Sequence, residues 1–243
     1  MIYIMTHAGE GKEISEDMVL VGDQVYSEVT DIADIPEDGF VCVADGVGGN
    51  NAGEVASSFV LNALSGCIWE DDEILHSKLI EINAKLVEES KTDSKLTKMA
   101  TTLSGICVKD GEMKYVHVGN TRIYVMQGHY LKQLTSDHTV YSWLRSLGRF
   151  EEAEACNKNE ITNCFGGGNE SLIGKLQIQP INAAKTILIT SDGIHEYVSI
   201  DDLEDIINSD ISNDEKCKAI REAAQLAGST DDMTAVLICM QEE

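Results

Sequence analysis

The 243-residue chain is short of cations: 18 Lys and Arg stand against 42 Asp and Glu, a formal net charge of −24 with a sequence pI near 4.4. Partners held by phosphate neutralisation or by an anionic leaflet are thereby excluded, so neither nucleic acid nor a membrane surface is expected. Only two prolines, Pro36 and Pro180, occur, and no Gly/Ser-rich or charge-block linker divides the chain, so one domain over residues 1–243 is expected. No apolar run approaches the roughly 18 to 20 residues of a membrane span, and the first ten residues lack a basic leader. A soluble, cytoplasmic protein is the expectation. The seven cysteines (42, 67, 107, 156, 164, 217 and 239) are odd in number, have no C-x-x-C pair and partly lie inside apolar runs, so they read as reduced core residues and not as a disulfide frame or zinc site. Also missing are the Asp-x-Asp-x-Asp-Gly loop, His-Glu-x-x-His and G-x-x-x-x-G-K-[ST]. Phosphoaspartate chemistry needs a second Asp two residues after the first, where this chain has Val47.

What is present is an ordinary globular mixture, 43% hydrophobic and 25% charged. β-Branched apolar runs at Met18–Val21, Phe40–Ala44, Ser104–Val108, Lys114–Val118, Arg122–Met126, Thr186–Ile189 and Thr234–Cys239 predict strands. Asp110-Gly111 and Gln127-Gly128 punctuate the middle, which predicts consecutive antiparallel hairpins from Thr102 to Leu134. Val55, Phe59, Ala63 and Cys67, then Leu75, Leu79, Ile82 and Leu86, mark the faces of two helices. A third is expected over Asn213–Ala227, with Cys217, Ile220, Ala224 and Ala227 on one side, and a shorter one from Asp201-Asp202. An α+β sandwich follows.

Four acidic positions border these strands. Asp45 ends Phe40–Ala44 and precedes Gly46; Asp192 follows Thr186–Ile189 after Thr190-Ser191 and precedes Gly193; Glu16-Asp17 and Asp231-Asp232 immediately precede two other strands. If the strands are neighbours, several carboxylates converge at one rim, where they cannot all stay ionised without a compensating cation. An all-oxygen donor set selects hard ions such as Mg²⁺ or Mn²⁺, and Gly46, lacking Cβ, lets its carbonyl approach one. The plainer alternative is that Asp-Gly is a turn dipeptide, as at 38-39 and 110-111.

The ordered set Ser15-Glu-Asp17, Ala44-Asp-Gly-Val-Gly-Gly49 leading to Ala52-Gly-Glu-Val-Ala-Ser57, Met99-Ala-Thr-Thr102, Val118-Gly-Asn-Thr-Arg122, Leu134-Thr-Ser-Asp-His138, Thr190-Ser-Asp-Gly193 and Thr230-Asp-Asp-Met-Thr234 resembles the metal-dependent serine/threonine protein phosphatases of type 2C, in their compact bacterial form. The resemblance spans nearly the whole chain. It implies a central antiparallel β-sandwich with helices on both outer faces, a four-layer αββα arrangement, and two Mg²⁺ or Mn²⁺ ions at one end. By resemblance, Asp45 bridges the ions, the Gly46 carbonyl binds the second, Asp192 and Asp231 bind the first, and Glu16 and Asp17 hold the cluster through water. The implied reaction is direct hydrolysis of phosphoserine and phosphothreonine by a water shared between the ions, without a phosphoenzyme. The implied partners are phosphoprotein substrates of a serine/threonine kinase, and a monomer is expected.

Departures from the pattern define the rival readings. Lys12 stands where the family places an arginine against the substrate phosphate, and an ammonium lacks the planar fork; alternatively it is a solvated loop residue. Asn120 replaces an Asp that helps hold a third metal, which puts that third site in doubt. Val47 replaces a His found in animal-type relatives, and Asp232 stands for the usual Asn. No histidine is assigned to the site. The segment 141–168 corresponds to the substrate-side flap, with Arg145, Arg149 and Gly166-Gly-Gly168, whose glycines predict mobility; a helix-loop connection packed by Trp143 and Leu144 is the alternative. Two other functions remain open: a pseudophosphatase that binds or regulates, and a hydrolase of another phosphoester.

Overall fold

Period-two alternation gives each long strand two buried faces, which demands covering layers on both sides. In the computed structural model, which describes residues 1–47, 52–182 and 184–240, the elements are β1 (Ile2–His7), β2 (Asp17–Val21), β3 (Gln24–Tyr26), β4 (Val29–Ala33), β5 (Gly39–Asp45), α1 (Gly53–Ser65), α2 (Asp72–Glu89), β6 (Ala100–Thr101), β7 (Leu103–Lys109), β8 (Glu112–Val118), β9 (Arg122–Gln127), β10 (Tyr130–Gln133), α3 (Val140–Ser146), α4 (Phe150–Ala155), β11 (Phe165–Gly166), β12 (Gln177–Pro180), β13 (Thr186–Thr190), α5 (Asp192–His195), α6 (Ile200–Asn208), α7 (Asn213–Leu226) and β14 (Met233–Cys239). One sheet runs β10-β9-β13-β14-β1-β4, the other β12-β8-β7-β5-β2-β3, and β11 pairs with β6 separately. The strand pairs are antiparallel.

Between the two sheets lie Ile2, Ile4, Val19, Val21, Val41, Val43, Ile106, Ile123, Ile187, Ile189, Val236 and Ile238. The alternate residues of the same strands face outward. Leu20, Phe40, Cys42 and Leu103 meet α1 and α2, whereas Met5, Leu188, Ala235 and Leu237 meet α5, α6 and α7. These three cores make the expected four-layer αββα sandwich. Helix starts follow their caps: Asp71 accepts from Ile74 N at 2.9 Å, and Ser212 with Glu215 forms a capping box on α7.

Several expectations need correction. Residues 102–134 are not one run of hairpins, because β8 and β9 belong to different sheets; the chain crosses the sandwich at Gly119–Thr121. The buried face of α1 is Ala56, Ser57, Val60, Leu61 and Leu64, while Val55 is exposed and Phe59 and Ala63 are only partly buried. Apolar residues nearly encircle this helix, so periodicity alone does not select a side. Cys67 lies beyond it. Strand β1, between β14 and β4, was not expected from the sequence. The cysteines are free, four of them buried. In segment 141–168 Leu144 is buried and Trp143 exposed. The glycine run is tied down: Gly166, Gly167 and Gly168 hold φ of 80°, 65° and 74°, Gly166 N donates to Asn83 Oδ1 at 2.8 Å, and a Cβ on Gly166 would lie 2.3 Å from Met99 O. Those glycines serve backbone shape and close approach. Gly48 and Gly49 lie outside the described residues. No helix among the described residues is long and apolar enough to cross a membrane.

Candidate metal centre

The parity that turns Val41 and Val43 inward also turns Asp45 inward, and Asp17 shares the parity of Val19 and Val21. In the register of β2 with β5, Asp17 stands directly opposite Asp45. The other sheet brings Ser191 at the exit of β13 beside Thr234 of β14, with Ser191 N donating to Thr234 O at 3.0 Å. Asp192 and Asp231-Asp232 therefore flank the same rim. The four sequence positions that border strands are brought together, as convergence required.

Hydrogen bonds fix the backbone and side chains around these acids. The Asp45 carbonyl accepts Thr102 N at 2.8 Å and Thr101 Oγ1 at 3.0 Å, and Asp45 N donates to Thr102 Oγ1 at 3.1 Å. Gly46 N donates to Glu16 O at 3.1 Å. A Cβ on Gly46 would sit 2.6 Å from Gly53 C and 2.8 Å from Glu16 Cβ, so glycine here lets the start of α1 close onto the loop after β5. Asn120 Nδ2 donates to Asp192 Oδ2 at 2.9 Å from a position only 3% exposed. Asp232, also 3% exposed, accepts Gly9 N at 2.9 Å and Glu16 N at 2.8 Å. It clamps the loop that carries Lys12.

Lys12 Nζ lies 2.6 Å from Asp231 Oδ1 and 3.1 Å from Asp232 Oδ2. Lys12 is thus ion-paired within the acid cluster, with its side chain partly exposed. Burial opposes its charge, but the bonds to Asp231 and Asp232 prevail and raise its affinity for the proton. Asp231 is the more open of that pair.

The electrostatics are those of a crowded acid cluster. Burial pushes the Asp45 carboxyl well up, and the charges of Asp192, Asp17, Asp231 and Asp232 push it further. Burial likewise raises Asp17, with Ser191 and Thr234 hydroxyls opposing. Asp192 is raised by burial and by Asp231, while Asn120 and a hydrogen-bonding contact with Asp45 lower it. Glu16 is raised by burial, with Lys12 opposing. Among the described residues, two buried carboxylate oxygens, Asp17 Oδ2 and Asp45 Oδ2, have no hydrogen-bond partner, and neither has Asn120 Oδ1. Such orphaned acceptors are costly and call for positive charge. Oxygen donors from Asp45, Asp192, Asp231 and Glu16, with the Gly46 carbonyl nearby, could hold a hard divalent ion. Among the described residues no three His, Cys, Asp or Glu side chains are drawn into a finished cage; Lys12 and Asn120 occupy carboxylate oxygens instead.

Some contributors left only a faint sequence signal. Thr101 and Thr102 stood in the Met-Ala-Thr-Thr motif without an assigned role, and nothing marked Gly9, where a Cβ would fall 2.1 Å from Thr230 O. His117 and His138 are buried side by side, ring centroids 4.7 Å apart, with His117 Nε2 on Ser136 O at 3.1 Å and His138 Nδ1 accepting Gly119 N at 3.1 Å. They brace the crossover between sheets.

A profile of the protein phosphatase 2C family matches residues 27–237. The protein phosphatase PhpP of Streptococcus pneumoniae serotype 2 is 32% identical over 220 residues, covering 84% of this chain and 86% of that one. The serine/threonine phosphatase stp of Listeria monocytogenes serotype 4b is 30% identical over 214 residues, covering 82% and 83%. Among solved structures, the Mycobacterium tuberculosis serine/threonine phosphatase PstP/Ppp superposes with a TM-score of 0.80 at 24% identity, covering 100% of this chain and 99% of that one. Stp1 of Staphylococcus aureus gives 0.81 at 22% identity, covering 99% and 95%. At those identities the two structures speak for the fold.

Proposed function

The chain belongs to the protein phosphatase 2C family, and on that premise we propose that it hydrolyses phosphoserine and phosphothreonine in proteins with the help of two divalent ions, Mg²⁺ or Mn²⁺. The observation that carries the metal dependence is the pair of orphaned buried oxygens, Asp17 Oδ2 and Asp45 Oδ2, within a cluster of raised carboxylates.

Asp45, Asp192, Asp231 and the Gly46 carbonyl would hold the ions, with Glu16 and Asp17 completing the anionic shell. When bound, such ions supply a water acidified to near-neutral pKa as nucleophile and neutralise charge on the phosphoryl group. The protein's own part is placement. Thr101 and Thr102 fix the Asp45 backbone, Asn120 orients Asp192, and Asp232 pins the loop that presents Lys12. Lys12 supplies a local positive charge for an incoming phosphate, which the field of a chain with net charge −24 otherwise repels. Asn120 supplies a neutral amide where a further metal would want a carboxylate, so two ions are proposed and not three.

The substrates proposed are phosphoproteins made by a serine/threonine kinase, with segment 141–168 on the substrate side. That segment adjoins the cluster through Asn159 Nδ2, which donates to Glu196 Oε2 at 3.0 Å one turn after Asp192. The binding-module alternative draws no support, since the relatives are named as phosphatases and the carboxylates stand together. The test is hydrolysis of a phosphothreonine peptide at neutral pH with Mn²⁺, with excess chelator, and with Asp192→Asn. Metal-dependent turnover lost in the variant is expected. Turnover that survives either chelator or the substitution would refute the assignment.

A further inference from the structure

Two departures that look independent in the sequence, Lys12 and Asp232, touch each other in space. The loop from Ala8 to Ser15 is fastened at both ends: Ala8 N and Ser15 N each donate to Glu28 Oε1 at 3.0 Å, and Gly9 N and Glu16 N donate to Asp232. The backbone under Lys12 is thus fixed while its side chain remains 34% exposed. Its ammonium reaches 2.6 Å from Asp231 Oδ1, which also accepts Asp232 N at 2.9 Å, and 3.1 Å from Asp232 Oδ2. Among the described residues, Asp231 is the one acid proposed to hold an ion whose oxygen is taken by a cation of the chain itself. Asp232, which accepts two backbone N–H groups as well as the Lys12 ammonium, is a second anchor.

We infer that Lys12 is an internal counter-cation that competes with a divalent ion for Asp231 and withdraws to Asp232 when that ion binds. The inference rests on the metal-dependent reading above. An ammonium and a divalent ion sharing one carboxylate repel strongly at contact distance, so occupancy by one disfavours the other. A four-carbon stem lets the head group move without the loop, which a rigid guanidinium fork bonded to both carboxylates would resist. The carboxylate in place of the family's usual Asn at 232 gives the displaced ammonium an anionic resting place. Withdrawal also leaves the charge beside the bound ion, where a phosphate would arrive.

The test is calorimetric titration of the chelated, desalted full chain with MnCl₂, without substrate, for the wild type, Lys12→Gln and Lys12→Arg. Lys12→Gln is expected to bind Mn²⁺ about fivefold more tightly, the weight of one exposed ion pair, and Lys12→Arg no more tightly than the wild type. Lys12→Gln should also melt lower in chelator yet gain more on adding Mn²⁺. Equal or weaker Mn²⁺ binding by Lys12→Gln would overturn the inference alone, as would Lys12→Arg binding as tightly as Lys12→Gln. Absence of Mn²⁺ uptake by all three would overturn the metal-dependent reading together with it.

Discussion

Replacing Asp17 by Asn should stabilise the metal-free protein while weakening its response to metal. Asp17 is 1% exposed, faces Asp45 across the β2–β5 pair, and carries a buried oxygen without a partner. Its folded-state pKa is raised, so the folded chain holds an extra proton between the unfolded and folded values. The metal-free protein therefore loses stability as pH rises from the ordinary carboxylate range through about 8, so most of the penalty is already present at neutral pH and it is complete only above the folded value. Asparagine keeps the shape, removes the charge and adds a donor toward Asp45. A buried unsatisfied polar group costs about 1–3 kcal/mol. For a chain of this size 1 kcal/mol moves Tm by roughly 2–4 °C, so a central gain of about 2 kcal/mol raises Tm by about 4–8 °C. The assay is calorimetric melting in chelator at pH 7.5 and at pH 4.5, with the difference shrinking at the lower pH because the penalty falls away as pH approaches the unfolded value of 3.8. Saturating Mn²⁺ should then reverse the order, because an ion at a hundred times its Kd adds about 2.7 kcal/mol to the wild type. A variant that melts at or below the wild type in chelator at pH 7.5, or keeps the full Mn²⁺ shift, would refute the reasoning. The expected pattern is stability given up to hold a charged site.

Two further outcomes follow from the same contacts. Burial pushes His117 down to about 4 from 6.5, so the unfolded chain binds a proton first and stability falls as pH drops through that interval, by about 3 kcal/mol in all; urea melts at stepped pH should show this slope, and His117→Gln should flatten it. Gly46→Ala forces a Cβ to 2.6 Å from Gly53 C and should destabilise by about 1–3 kcal/mol while lowering phosphatase activity, whereas Gly66→Ala, with nothing within 4 Å, should leave both unchanged.

Much of the architecture was legible because burial imposes periodicity on composition. Seven strands, the α2 face at Leu75, Leu79, Ile82 and Leu86, and the α7 face at Cys217, Ile220 and Ala224 were all readable from spacing. The placing of the key acids at strand ends was legible too, but not their direction: both faces of β5 are apolar, and only the packing shows that Asp45 shares the intersheet face with Val41 and Val43. Where spacing is ambiguous it misled. α1 is apolar over most of its circumference, and its buried side is the one packed on the sheet through Ala56, Val60, Leu61 and Leu64, a tertiary contact that spacing alone does not specify. The β8-to-β9 step reads as another hairpin turn, yet the chain changes sheets there, because pairing partners are distant in sequence.

The sequence by itself determined which groups border the strand ends, carboxylates without His or Cys among them, in a chain of net charge −24. Tertiary structure alone decided which of those oxygens compete. Asp231 and Lys12 are 219 residues apart in the chain yet 2.6 Å apart in space, because antiparallel pairing of β1 with β14, His7 opposite Met233, lays the loop after β1 against the one before β14. Local propensity acts over a few residues, whereas charge acts over ångströms, and only the folded chain converts one separation into the other.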